Sequence, residues 1–129
     1  TSLSNANTIS TTGSYYIKGT NPTTSCFKIE SVAATVNPLP TVTITNPSAV
    51  CAPGTVDLTA TAITAGSTAS LTYSYWTNNT ATTSLSNANT ISTTGSYYIK
   101  GTNATTSCFK IEPVVATVNA LPTVARLRS

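Results

Sequence analysis

Apolar and polar residues alternate along most of the chain, with the period of two that marks a strand half-buried in a sheet. In TVTITN (41–46), Val42 and Ile44 fall on one face. TVDLTATA (55–62) places Val56, Leu58 and Ala60 inward and Asp57 outward. LTYSYW (71–76) puts Leu71, Tyr73 and Tyr75 on one side and Trp76 on the other. SYYIKG (96–101) turns Tyr97 and Ile99 inward and leaves Tyr98 and Lys100 to water. In CFKIEPVVATVN (108–119), Phe109 and Ile111 share a face, while Val114, Ala116 and Val118 have the opposite parity. A parity change asks for an extra residue, so a bulge is expected near Glu112–Pro113, where proline is tolerated. With ANTIS (88–92) as a short additional strand, this spacing predicts six or seven strands in an all-β fold.

The pattern also repeats. Thr1–Val42 lies over Thr83–Val124 at an offset of 82, differing only at Pro22/Ala104, Ser31/Pro113, Ala33/Val115 and Pro38/Ala120, which leaves 42 − 4 = 38 identities. Residues 43–82 occur once. A period of about 82 residues is too long for a helical solenoid and suits a small β-sandwich. The expected organisation is residues 1–40 as the later half of one repeat, 41–124 as a complete repeat, and 125–129 (ARLRS) as a tail outside the pattern. The chain then reads as a window cut across a longer periodic protein. VNPLPTV (36–42), echoed as VNALPTV (118–124), is expected to be a stiff connector, because prolines 38 and 40 each remove a backbone donor. Leu39 and Leu121 are its candidate seals against a neighbouring domain.

Composition narrows the chemistry. Threonine accounts for 29 residues, a β-branched excess that favours strands. Histidine is absent, which removes the common general base and the commonest metal ligand. Asp57 and Glu112 are the only carboxylates of the full repeat and stand far apart in sequence, so neither paired-carboxylate chemistry nor a calcium cage is expected. No cofactor and no enzymatic activity are anticipated. The net charge of +3 forms no basic stripe with interleaved aromatics, which argues against nucleic acid, and no apolar run is long enough for a membrane helix.

The series AVCAPGTVDLTA, YSYWT, TTGSYYIKGTNATTSCFK and VATVNALPTV resembles the Ig-like repeats of very large cell-surface proteins from gliding and related bacteria of the Bacteroidota. The resemblance is carried by Cys51 before the second strand, Tyr97 after a glycine, Cys108 opening the last strand, and the connector Asn37–Pro40. It implies an Ig-like antiparallel β-sandwich in tandem, export to the cell surface, and a role as spacer, adhesin stalk or filament. The partners implied are neighbouring repeats of the same protein, or identical chains exchanging strands. In this frame of two cysteines per repeat, Cys51 and Cys108 form a disulfide and Cys26 pairs with a cysteine outside the chain. If VNPLPTV were instead a hairpin turn, Cys26 and Cys51 would face each other.

A binding role remains open beside the structural one. Tyr98, Tyr16 and one of Tyr75 and Trp76 are expected on the outer surface, where a flat ring can stack on a sugar. The plainer role for such rings is cross-strand packing. Asn78 and Asn103 match the N-x-T glycan-acceptor pattern, whereas Asn21 is followed by the disallowed Pro22. The sequence thus points to an extracellular structural repeat, with a carbohydrate-binding module or an accessory domain of a secreted hydrolase as alternatives.

Overall fold

The computed structural model describes residues 1–124; the ARLRS tail lies outside the described residues. The chain divides into two units, Thr1–Pro38 and Leu39–Ser129. Both are built from strands and turns, with a single 3₁₀ turn at Thr61–Ile63 among the described residues.

Unit 1 is a hairpin of β1 (Gly13–Thr20) and β2 (Phe27–Ala34), paired without interruption from Gly13↔Ala34 to Thr20↔Phe27. Its turn is specified locally. The Asn21 side-chain carbonyl accepts the amides of Thr23 (2.9 Å) and Thr24 (3.3 Å), the Ser25 amide donates to the Asn21 carbonyl (2.7 Å), and the Asn21 amide donates to the Cys26 carbonyl (2.8 Å). Ser25 takes the left-handed conformation, φ 64°, that closes this loop. An asparagine that satisfies two amides at once nucleates a turn without help from the rest of the chain.

In unit 2 the repeated sequence forms the same hairpin. β5 (Gly95–Asn103) pairs with β6 (Phe109–Ala116) from Gly95↔Ala116 to Thr102↔Phe109, the register of unit 1 shifted by 82. Asn103 accepts from Thr105 and Thr106 at 2.9 and 3.2 Å, and Ser107 has φ 65°. At the other end, Thr94 Oγ1 donates to the Val118 carbonyl and accepts the Val118 amide, as Thr12 does with Val36. Tyr97 Oη donates to the Thr93 carbonyl at 2.7 Å, as Tyr15 Oη does to Thr11. Thus residues 1–38 and 83–120 share the same local hydrogen bonds, whereas beyond them Val42 is buried and its counterpart Val124 is exposed.

Unit 2 adds β4 (Leu71–Trp76) on the free side of β5, giving an antiparallel sheet in the order β4-β5-β6. A short parallel pair joins β3 (Val50–Cys51) to β7 (Val118–Asn119). Cross-strand partners lie on one face, so Leu71, Tyr73, Tyr75, Tyr97, Ile99, Val114 and Ala116 turn inward together. Val56, Leu58, Ile63 and Ile91 close over Ile99, Val114 and Ala116 to make the core, with Ile44, Val50, Leu85 and Val118 packed around it.

Three expectations change. No bulge occurs at Glu112–Pro113: β5 and β6 stay in register throughout. The amide of Val115 points away from β5, donating to Asn46 Oδ1 at 2.9 Å. Position 113 shares that outward direction, so proline there removes no ladder bond. Phe109 and Ile111 therefore lie on the outer face, and only the Val114–Ala116 parity reaches the core.

Nor does TVTITN become a strand, although Val42 is buried and Ile44 half-buried as its alternation foretells. Its backbone bonds to hydroxyls: the Thr41 amide donates to Thr68 Oγ1 and the Thr43 amide to Ser67 Oγ, both at 2.8 Å. The Thr45 amide is taken by the Ile63 carbonyl (2.8 Å).

TVDLTATA likewise gives only the bridge Val56↔Ile91. Val56 and Leu58 are buried and Asp57 exposed, but Ala60 is exposed rather than inward. The Thr59 amide and hydroxyl both donate to Asp57 Oδ1, bending the chain so that Ile63 replaces Ala60 in the core. Among its described residues unit 2 consequently has five strands, two of them only two residues long, and its sheet is covered by irregular chain.

Glycine 101 shows how closely that cover fits. A Cβ there would meet Val42 Cγ2 at 2.7 Å, Leu71 Cδ1 at 3.0 Å and Tyr73 Cε1 at 3.2 Å, whereas nothing lies within 4 Å of one on Gly19. Gly101→Ala is expected to destabilise unit 2 by about 1–3 kcal/mol through overpacking. Gly19→Ala should be neutral or stabilise by up to about 1 kcal/mol. Chemical denaturation of the two variants checks the contrast; equal effects would contradict it.

Candidate functional site

The outer face of the three-stranded sheet carries Trp76 and Tyr98, two of the aromatic residues that sequence singles out. Trp76, Tyr98 and Pro113 are direct cross-strand partners and form one row. Ser74, Lys100 and Ile111 form the next, and Thr72, Thr102 and Phe109 the third. The alternation of β4 places Trp76 outward and Tyr75 inward, which resolves the choice between them. Trp76 and Tyr98 are both half-buried by their neighbours. The indole Nε1 donates to Ser74 Oγ at 2.8 Å, which holds the ring along its own strand.

Lys100 Nζ stands 4.2 Å from the centroid of the Phe109 ring, and Lys18 Nζ 4.4 Å from that of Phe27. These contacts connect diagonal neighbours across the hairpin and recur in both copies. Such a cation–π contact contributes roughly 0.5–1 kcal/mol at an exposed site. Sequence reading did not find them; the signal was present as a lysine opposite, and two residues removed from, the aromatic that follows each cysteine. On the hairpin of unit 1, Tyr16 occupies the place of Tyr98 and is exposed, but no tryptophan accompanies it there.

Beyond Trp76 the chain turns through residues 77–83 and returns at Ser84, which bridges back to Trp76. Asn78 organises this loop. Its side-chain carbonyl accepts the amides of Thr82 (3.0 Å) and Thr83 (3.1 Å), and its amide donates to the hydroxyls of Thr80 (3.0 Å) and Thr82. Asn103 serves the β5–β6 turn in the same way. Both asparagines of the glycan-acceptor pattern therefore hold their own loops in shape.

The expected Cys51–Cys108 disulfide is not formed: Cys26, Cys51 and Cys108 are all free thiols. Topology explains why. Cys51 lies opposite Asn119 in the β3–β7 pair, whereas Cys108 precedes β6, 119 − 108 = 11 residues earlier along extended chain. At ~3.3 Å per residue the two are on the order of 30 Å apart, and a disulfide needs Cα atoms within about 7 Å. Cys26 is likewise unbonded and exposed.

Among the described residues no group of three His, Cys, Asp or Glu stands together. Hydrogen bonds from the Thr59 hydroxyl and then its amide hold the Asp57 carboxyl below its ordinary range, so that it acts as an acceptor within its own turn. No helix among the described residues is long and apolar enough to cross a membrane. The surface thus offers hydroxyls, amides and two adjacent aromatic rings, which suits stacking and hydrogen bonding. Comparison of the chain with protein-family models, with curated proteins and with solved structures yields no match.

Inward of this face, burial pushes the Tyr75 phenol above its ordinary value, with the Asp57 carboxylate and Tyr73 adding to the effect. The folded state thus favours the neutral phenol. That contribution is fully present below about pH 10, the unfolded value, and disappears as pH rises through the higher folded value. Unfolding free energy measured between about pH 9 and about pH 12 should fall less steeply in Tyr75→Phe than in the parent. Identical slopes would show that Tyr75 is not the group concerned.

Proposed function

We propose that the chain is a structural repeat module of an extracellular bacterial surface protein, a stalk, adhesin or filament built from Ig-like β-sandwich units of about 82 residues. The observation that carries this reading is the identity of the two hairpins. The repeated sequence reaches the same register, the same asparagine-centred turn and the same threonine and lysine clamps in both units. A unit that folds by local rules can be copied in series without redesign, and copying gains reach. A surface coated in threonine, serine and asparagine with few charges suits a solvent-exposed spacer. The partners in this reading are neighbouring repeats, with no cofactor and no reaction.

A second reading, a carbohydrate-binding module of a secreted protein, is favoured by the adjacent Trp76 and Tyr98 on the outer face. Sugar rings stack on such platforms through their apolar faces, and the neighbouring hydroxyls of Ser74, Thr72 and Thr102 suit a polyol.

Two measurements separate the readings. A three-unit array of residues 43–124, stretched in a force spectrometer, should unfold in evenly spaced events of about 28 nm each, from 82 residues at ~3.4 Å. A single aperiodic extension would sink the stalk reading. For the module reading, polysaccharide binding by the full chain should fall by about tenfold, equivalent to about 1.4 kcal/mol, in Trp76→Ala with unchanged circular dichroism. Absence of any polysaccharide binding by the parent chain would remove that reading.

A further inference from the structure

Residues 1–38 repeat residues 83–120, yet their apolar faces differ in what covers them. In unit 2, Val56, Leu58 and Ile63 complete the core against Leu85, Ala88, Ile91, Ile99, Val114 and Ala116. The counterparts of those six in unit 1 are Leu3, Ala6, Ile9, Ile17, Val32 and Ala34. They line a recess of about 260 Å³. Ile17 is 63% exposed where Ile99 is 0%, and Val32 is 43% exposed where Val114 is 0%.

The framework of the recess matches that of unit 2 in hairpin register and in its turn. The turn beneath it is closed by the Thr8 amide on the Asn5 carbonyl at 2.9 Å, matching Thr90 on Asn87 at 3.0 Å.

Backbone groups differ between the units in the same way. In unit 2 the covering segment is anchored by reciprocal bonds between Val56 and Ile91 (2.9 and 2.8 Å) and by the Leu58 amide on the Ala88 carbonyl (2.8 Å). Two more anchors are the Val50 amide on the Thr117 carbonyl (3.1 Å) and the Ala52 amide on the Asn119 carbonyl (2.8 Å). The corresponding groups of unit 1 belong to Ile9, Ala6, Thr35 and Asn37. Among the described residues, no backbone hydrogen bond outside the strands reaches Ile9 or the carbonyls of Ala6, Thr35 and Asn37. An apolar recess lined by Ala6 and Ile9, with further backbone acceptors at Thr35 and Asn37 just beyond Ala34, has the make-up of a strand-addition site.

We propose that this recess is a docking site for a second early half-repeat, a polypeptide segment with the pattern VCAPGTVDL of residues 50–58. Its two valines and leucine seat as Val50, Val56 and Leu58 do in unit 2, and its amides bond to Thr35, Asn37 and Ala6 and reciprocally to Ile9. The chain's own residues 50–58 are committed to unit 2, so the occupant is another copy of that segment, carried by a neighbouring repeat. Only this source rests on the repeat-module reading; the shape and bonding of the site do not.

The test adds a synthetic peptide of residues 48–64 to the isotope-labelled full chain and follows backbone amide resonances and their hydrogen exchange. The Ile9 amide should become protected at least tenfold, with shifts at Ile17 and Val32, while Ile91 and Ile99 stay unchanged. A peptide carrying Val56→Asp and Leu58→Asp should leave every resonance in place. In the chain, Ile17→Asp should weaken peptide binding at least tenfold while the resonances of β4, β5 and β6 persist. Unaltered unit 1 resonances at millimolar parent peptide overturn the proposal, as does equal response to the two peptides. Concentration-dependent shifts at Ile17 without peptide would identify a second copy of the whole chain as the occupant and overturn it too. Failure here would leave the periodic unfolding of the array untouched, so the two readings fail separately.

Discussion

A two-stranded hairpin with one apolar face is at best marginally stable in water until something dry is laid across it. In unit 2 that layer is three side chains, Val56, Leu58 and Ile63, set over Ile99, Val114 and Ala116. Each fully buried valine, leucine or isoleucine contributes roughly 1.5–3 kcal/mol relative to exposure. The reciprocal bonds between Val56 and Ile91 fix where the layer lands. Other features follow from this closure. Gly101 is bare because Val42 must pass close above it, and Tyr73 and Tyr75 flank the core from β4. The short β3–β7 pair ties the covering segment to the end of β6.

The cover itself is held by side chains more than by ladders. Hydroxyls of Ser67 and Thr68 accept backbone amides of Thr43 and Thr41, and Asn46 accepts the amide of Val115. Asn21, Asn78 and Asn103 each accept two amides in their own loops. Short polar side chains compete with secondary structure for backbone partners. A chain with 29 threonines therefore meets its hydrogen-bonding needs with fewer strands than its alternation suggests. The same economy leaves the surface rich in hydroxyls and poor in charge.

On the outer face, the rings of Trp76 and Tyr98 lie in one row because β4 and β5 pair in a register that their hydrophobic inner faces impose. The residues on the outer face are those the core did not take. The lysine–phenylalanine contacts on both hairpins occupy one ring face each, and Tyr98 and Trp76 take no part in them. The three cysteines are free thiols, so the core contacts here form without a covalent bridge between them.

The all-β class, the inward faces of β4 and β5 and the repeated segment were legible in the amino-acid order, because each rests on alternation or on repetition of the letters. The choice between Tyr75 and Trp76 for the outer face was left to the pairing of β4 with β5. The bulge at Pro113 and the inward Ala60 were misread, since the edge position of β6 and the Asp57–Thr59 bend are set by what lies alongside. The disulfide expectation followed a resemblance in cysteine spacing, and spacing along a chain carries no information about which end of a sheet a residue reaches. Near-identical residues 1–38 and 83–120 make the division plain. Their own order determined one hairpin twice, through local hydrogen bonds and period-two patterning. Tertiary structure alone decided that Ile99 is buried and Ile17 is not, because burial depends on a covering segment distant in sequence.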